Sequence, residues 1–117
     1  MKMEMMTRCC GMYTKCQKMC METVRFCLTR GGKLCEVSFV MNMIECAQLC
    51  GTCAGFCATG SGRCATTCEA CARVCEECAR KCGKFSEPEM VRCMKMLREC
   101  AQMCRKMMKS SPAAMPA

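Results

Sequence analysis

The chain has 117 residues, with 18 Lys and Arg against 10 Asp and Glu, a net charge of +8. About half of it is apolar by residue type, yet 19 residues are Cys and 16 are Met, while Leu, Ile, Val and Phe together supply only 14; an ordinary hydrocarbon core is excluded and the interior must be built largely of sulfur. His is absent, which removes the commonest general base, the commonest nitrogen ligand for zinc and any Cys–His nucleophilic pair, so no enzyme activity is expected.

Along the chain, three breaks stand out: Gly31-Gly32, Thr59-Gly60-Ser61-Gly62, and Gly83 followed by Ser86-Glu87-Pro88. Helices stop at Gly and restart behind a Ser cap. Ser86 with Glu89 three residues later has the form of a capping box, with Pro88 in the first turn. The pattern predicts helices over about 5–30, 33–59, 63–84 and 87–109, in one metal-binding domain spanning 1–109, and a disordered tail over 110–117. Four helices of similar length joined by short links predict an all-α fold, an antiparallel up-down-up-down four-helix bundle.

At about 100° per residue the cysteines fall into rows. Cys9, Cys16, Cys20 and Cys27 align on the first helix, with Cys10 off the row. On the second, Cys46, Cys50, Cys53 and Cys57 repeat at 4-3-4 and Cys35 falls on the same line. The third carries Cys64, Cys68, Cys71, Cys75, Cys78 and Cys82, with Glu69, Arg73, Glu76, Glu77 and Arg80 on its opposite face. The fourth aligns Cys93, Cys100 and Cys104, with Met96 and Met107 on the stripe. These are the inward positions of a bundle, where Leu is the usual choice.

One buried Cys is adequately explained as a small apolar residue; whole rows are not, because selection for packing alone would supply Leu. Disulfides fit poorly as well. The count is odd, and residues four apart on a helix hold their Cβ atoms about 5–6 Å apart, whereas a disulfide needs about 3.5–4.5 Å. A metal between two sulfurs, with bonds of about 2.3 Å, spans the gap.

All-sulfur sites select Cu(I), Zn(II), Cd(II) or iron–sulfur iron. Zinc sites and cubane clusters want discrete groups of four thiolates, but these rows are continuous. Cu(I) accepts two or three sulfurs, and the thioethers of Met43, Met96 and Met107, nearest the rows, are neutral soft donors that suit it. All nineteen cysteines, Cys10 included, are therefore candidate ligands. Nineteen thiolates would be balanced by as many monovalent ions or by roughly nine divalent ones, so charge alone does not select copper; the continuous ladder predicts on the order of 15–20 Cu(I) ions per chain. The expected function is storage or buffering of Cu(I); the alternatives are metallothionein-like sequestration of zinc or cadmium, and an Fe–S electron carrier. Met1, Met3, Met5, Met6, Met12, Met107 and Met108 should gather at the end of the bundle that holds both termini.

The Cys-x3-Cys-x2-Cys-x3-Cys rows, the Cys64–Cys82 run and the closing Cys100-Ala-Gln-Met-Cys104-Arg-Lys-Met resemble the bacterial copper storage proteins over about residues 9–108. The resemblance implies a four-helix bundle, often within a homotetramer, whose core takes up many Cu(I) ions held mainly by Cys pairs. It also implies His, sometimes with Met, near one open end of the bundle. Here Thr29-Arg30-Gly31-Gly32-Lys33 and Lys84-Phe85-Ser86-Glu87-Pro88 carry neither, and Met90 is the nearest thioether.

Other partners are constrained too. Four Phe, one Tyr and no long basic tract give no platform for nucleic acid. No run approaches 18 apolar residues, so no membrane span is expected. The opening Met-Lys-Met-Glu-Met-Met lacks the form of a signal peptide, which gives a cytoplasmic protein, or an exported one whose signal has been removed. Val37, Val40, Met41 and Ile44, continued by Gly51 and Gly55, form an apolar stripe on the second helix away from its cysteines. That stripe predicts a homo-oligomer, a dimer or a tetramer built as a dimer of dimers, joined through the second helix.

Overall fold

A computed structural model describes residues 2–110; Met1 and residues 111–117 of the tail expected over 110–117 fall outside them, as do the side chains of Met3 and Met6, while Ser110 is the last residue of the fourth helix. Four α-helices run in order: α1 (Lys2–Arg30), α2 (Val37–Thr59), α3 (Cys64–Cys82) and α4 (Pro88–Ser110), with no strand among the described residues.

The glycines set the breaks. Gly31 and Gly32 have φ of 75° and 63°, in the left-handed region that an L side chain resists. The Gly31 N–H closes the last turn of α1 on the Cys27 carbonyl at 2.9 Å. A short 3-10 turn over Gly32–Cys35 follows, and extended Glu36 then caps α2 with its carbonyl. The second helix therefore begins at Val37, four residues later than the sequence pattern predicts, and Cys35 lies on the turn and not on the α2 row. Gly60, at φ 67°, ends α2: its N–H reaches the Cys57 carbonyl and that of Ser61 the Phe56 carbonyl, the paired bonds of a Schellman motif. At the last break, α3 stops at Cys82 and α4 starts at Pro88, with the Glu87 carbonyl receiving the N–H groups of Met90 and Val91. Glu87 thus takes the cap position expected for Ser86, because Pro88 sets the first helical φ and Ser86 is one residue too early.

Contacts at the two ends give the helix directions. At one end Tyr13 near the start of α1 reaches Cys68 near the start of α3 and Cys104 near the end of α4. There too Cys10 donates to the Ala54 carbonyl near the end of α2, and Cys57 meets Cys64 across the α2–α3 link. At the other end Cys27 donates to Met90, and the Phe39 and Phe85 rings stand 5.5 Å apart. Neighbours in sequence are neighbours in space, and α1 closes the ring against α4. The bundle measures 47 × 22 × 18 Å.

Seventeen cysteines are buried; Cys10 and Cys35 are half-buried. The sulfur core is plugged by a few larger groups, Tyr13, Met43, Met90 and Leu97, each fully buried. Charged groups stay outside, with Arg105 of α4 gripping Glu76 of α3 through two bonds of 2.7 and 2.9 Å. Such exposed pairs contribute about 0–1 kcal/mol, so burial carries the fold.

The apolar stripe of α2 differs in part from expectation. Val40 is buried in the core, and a Cβ at Gly51 would come within 2.7 Å of the Gln17 side chain of α1, so this glycine serves packing within the chain. Both lie on the flank of α2 that turns towards α1. Ile44 is half-buried against the core; Val37 at 74% exposure, Met41 at 49% and Gly55 remain outside, and on α1 Leu28 and Met21 are exposed as well. By length and composition α2 could cross a membrane, a reading that the apolar-run rule missed, although 44% of its apolar window is buried inside the bundle.

Because neutral thiols pack as small hydrophobes, reduced metal-free protein should give a strongly helical circular dichroism spectrum. Leu97→Ala, which hollows the site of a fully buried side chain, should cost about 2–5 kcal/mol in urea denaturation of that form. A coil spectrum without metal would overturn this account of the core.

Candidate metal centre

The four cysteine rows meet along the bundle axis. Sulfur–sulfur separations are 3.3 Å for Cys46–Cys75, 3.8 Å for Cys50–Cys71, 3.9 Å for Cys50–Cys100, 3.8 Å for Cys71–Cys75, 3.1 Å for Cys57–Cys64 and 3.9 Å for Cys64–Cys68. A metal with bonds of about 2.3 Å places its sulfurs about 3.8–4.6 Å apart, from tetrahedral to linear coordination. Most of these thiols need shift by only a few tenths of an ångström.

Three groups of buried thiols have all their sulfurs within 4.8 Å of one another: Cys16, Cys46, Cys50 and Cys75; Cys50, Cys71, Cys75 and Cys100; and Cys57, Cys64 and Cys68. The two tetrads share Cys50 and Cys75. Six thiols from all four helices thus form one edge-sharing cluster, as the 4-3 spacing requires when each inward residue has neighbours one turn along its own helix and across the core.

The remaining candidates sit as follows. Cys9, Cys20, Cys27, Cys53, Cys78, Cys82, Cys93 and Cys104 are buried in the same core. Cys53 donates to the Thr67 carbonyl at 3.4 Å. Cys10 is engaged with the Ala54 carbonyl at 3.4 Å, and Cys35 with the Cys27 carbonyl at 3.0 Å, so neither joins a thiol group. Of the thioethers, Met43 and Met107 are buried while Met96 is only half-buried at the edge of the core.

Sequence reasoning missed three residues. Met90, fully buried, receives the Cys27 thiol at 3.8 Å; its position on the α4 row, three residues before Cys93, was the available signal. Tyr13 is fully buried, its hydroxyl 2.9 Å from Cys68 and donating to Cys104 at 3.2 Å. It stands four residues after Cys9 and three before Cys16, in step with the α1 row. Asn42 of α2 is buried with Oδ1 lacking a hydrogen-bond partner. Such an orphan costs about 1–3 kcal/mol, which a nearby cation would relieve.

At the two ends of the rows, burial and mutual repulsion hold Cys9 and Cys27 neutral. Burial first, then repulsion from Cys68, pushes Cys9 up to about 12 from an ordinary 9.0. Burial, then Cys93, pushes Cys27 up to about 11. Deeper in the core, sulfurs that collect several S–H donors move the other way: Cys71 is lowered by Cys100 and Cys104 in turn, and Cys93 falls to about 4 through Cys20 and then Cys82. Hydrogen bonds push the neighbours up, Cys75 chiefly through Cys100 and Cys20 chiefly through Cys16. Protons are thus shared along the rows, and soft cations can replace them.

A family profile described as copper storage protein matches residues 2–109. The chain is also similar to a protein from Nitrosospira multiformis of known crystal structure, with 31% identity and a TM-score of 0.85 over 91% of this chain and 96% of that one. The comparison with curated proteins gave no match. The chain belongs to the copper storage protein family, and its buried thiol groups are suited to binding many metal ions.

The raised Cys9 and Cys27 values carry a sign. Their stabilising share is complete below about pH 9 and is lost as pH rises through about 11 and 12. The melting temperature of reduced, metal-free protein should therefore hold up to pH about 9 and fall as pH rises towards about 11. The fall should be smaller in a Cys9→Ser, Cys27→Ser variant and smaller again in metal-loaded protein.

Proposed function

We propose that this member of the copper storage protein family holds Cu(I), as a store or buffer, on a continuous thiolate ladder within one domain of residues 1–109. The observation that carries the reading is the shared edge between the two tetrads, Cys50 and Cys75. A site that needs four thiolates of its own cannot be repeated at this spacing, whereas two- and three-coordinate Cu(I) shares thiolates with the next ion. Buried Met43, Met90 and Met107 add neutral soft donors beside the rows, which favours Cu(I) over zinc or cadmium. The ligand set is the inward cysteines with these thioethers; Cys10, Cys35 and Met96 join at the margins.

The protein's role is binding and not catalysis: a chain with no His offers thiols only as ligands. Its working compartment is the cytoplasm, where thiols stay reduced, and neither nucleic acid nor membrane is among its partners.

Capacity separates this reading from the zinc, cadmium and iron–sulfur alternatives. Anaerobic titration of reduced protein with Cu(I) against a competing chelator should saturate on the order of 15–20 ions per chain. Saturation near about four ions would mean discrete tetrathiolate sites and would end the storage reading.

The exposed Val37, Met41, Met21 and Leu28 all lie on α1 and α2. The other pair of helices presents Glu69, Arg73, Glu76 and Arg105 to solvent. The apolar side is where a second copy docks, giving a dimer or a dimer of dimers through α2. Wild type should sediment above the 13.0 kDa of one chain, and Val37→Glu with Met41→Glu should sediment as the monomer. Substitution at Val40 would confuse the test, since that side chain is buried.

A further inference from the structure

The close thiol groups thin out near the end that holds the start of α1. On one side lies the trio Cys57, Cys64 and Cys68, and on the other the edge-sharing tetrads; no group of three or more close thiols bridges them among the described residues. At the level between them the helices place Tyr13, Cys53, Cys68 and Cys104. The Cys53 thiol is turned to the Thr67 carbonyl. Cys68, of the trio, and Cys104, one turn from Cys100 of the tetrads, are tied by the same phenol hydroxyl, at 2.9 and 3.2 Å. Tyr13 occupies the one inward position of the α1 row between Cys9 and Cys16, and none of it is exposed.

We propose that Tyr13 divides the metal store into two pools: an exchange site at Cys57, Cys64 and Cys68, and an inner reservoir beyond the phenol. The inference rests on Cu(I) storage as its premise. An ion moving inward has two routes: from the Cys68 sulfur to the Cys104 sulfur, both committed to the Tyr13 hydroxyl while it stays in place, or through Cys53, which stands between Cys68 and Cys71 with its thiol turned to the Thr67 carbonyl. The first route requires the hydroxyl to release both sulfurs, so Tyr13 acts as a positioning residue that slows transfer without adding or removing a thiol. Cys57 and Cys64 flank the Gly60-Ser61-Gly62 link, which puts the outer trio next to the bundle's end and not at its middle. At the opposite end the surface cavity, of about 300 Å³, is lined by Lys33, Glu36, Lys81, Lys84, Phe39 and Phe85 and offers no sulfur.

The test uses the full chain, reduced and loaded with Cu(I), mixed anaerobically with excess Cu(I) chelator. Wild type should release metal in two phases, the fast one carrying about one or two ions, as three thiolates can hold. Tyr13→Phe keeps the ring and loses both hydrogen bonds. It should speed the slow phase on the order of tenfold at unchanged capacity, and Tyr13→Ala should speed it further. Cys57→Ser with Cys64→Ser should abolish the fast phase alone. A second readout comes free of mutation: Tyr13 is the one tyrosine and the chain has no Trp, so its emission should change with the first ions bound and then stay level. A single release phase in wild type, an unchanged slow phase in helical Tyr13→Phe, or an emission change spread evenly over the titration would overturn the division. A capacity that itself falls to about four ions would instead overturn the storage premise.

Discussion

Charge on buried sulfur is the constraint to which the rest of the molecule answers. Seventeen thiols lie out of water, and no charged side chain is buried among the described residues. A bare thiolate there would be prohibitive, so each sulfur must hold either a proton or a cation. Both states are close to neutral. The core therefore does not choose between folding and loading. What keeps the empty form compact is the small set of larger groups, Leu97, Tyr13, Met43, Met90 and Phe39, together with the glycine-terminated helix ends and polar outer faces.

The continuity of the ladder follows from helix geometry. A 4-3 repeat returns an inward residue every three or four positions along each helix, and antiparallel neighbours bring four such rows side by side over a bundle 47 Å long. Once the inward residue is Cys, each sulfur finds others one turn along and directly across, and the donor sets overlap. Cys50 and Cys75 belong to two tetrads for this reason. Separate four-thiolate sites would require breaks in the rows, and among the inward positions such breaks are few: Tyr13 and Val24 on α1, Leu97 on α4, and the methionines near the ends.

The sequence reveals the rows because a period of 3.5 in one residue type is unambiguous, and the four helices with their buried cysteines follow from it. The features it hides depend on the chain's local path. Cys35 extends the α2 line only if the helix runs through residues 33–36, but the left-handed pair Gly31 and Gly32 forces a 3-10 turn there. Val40 and Gly51 lie on the flank of α2 that turns towards α1, about 120° and 140° from Cys46 at 100° per residue, and a single helix does not say which of its flanks will meet a neighbour. Met96 lies close to the α4 row by angle, yet Leu97 takes the fully buried place. Tyr13 and Met90 keep step with the cysteines and differ from them only in type, so a reading that follows one residue type passes over them.

The same comparison makes the two ends of the bundle unequal. At the end formed by the α1–α2 and α3–α4 links, the Cys27 thiol is spent on Met90, and Phe39 and Phe85 close over the core. That end presents lysines, aromatic rings and the half-buried Cys35, whose thiol is engaged with the Cys27 carbonyl. At the other end the half-buried Cys10, Met5, Met12 and Met108 surround a trio of thiols beside a glycine-rich link. With no His anywhere in the chain, sulfur is the soft donor its side chains offer, and four partly buried sulfurs stand at that second end. There the Tyr13 hydroxyl ties a thiol of the trio to Cys104, one turn from the inner tetrads, so the buried phenol belongs to the sulfur network at this end of the bundle.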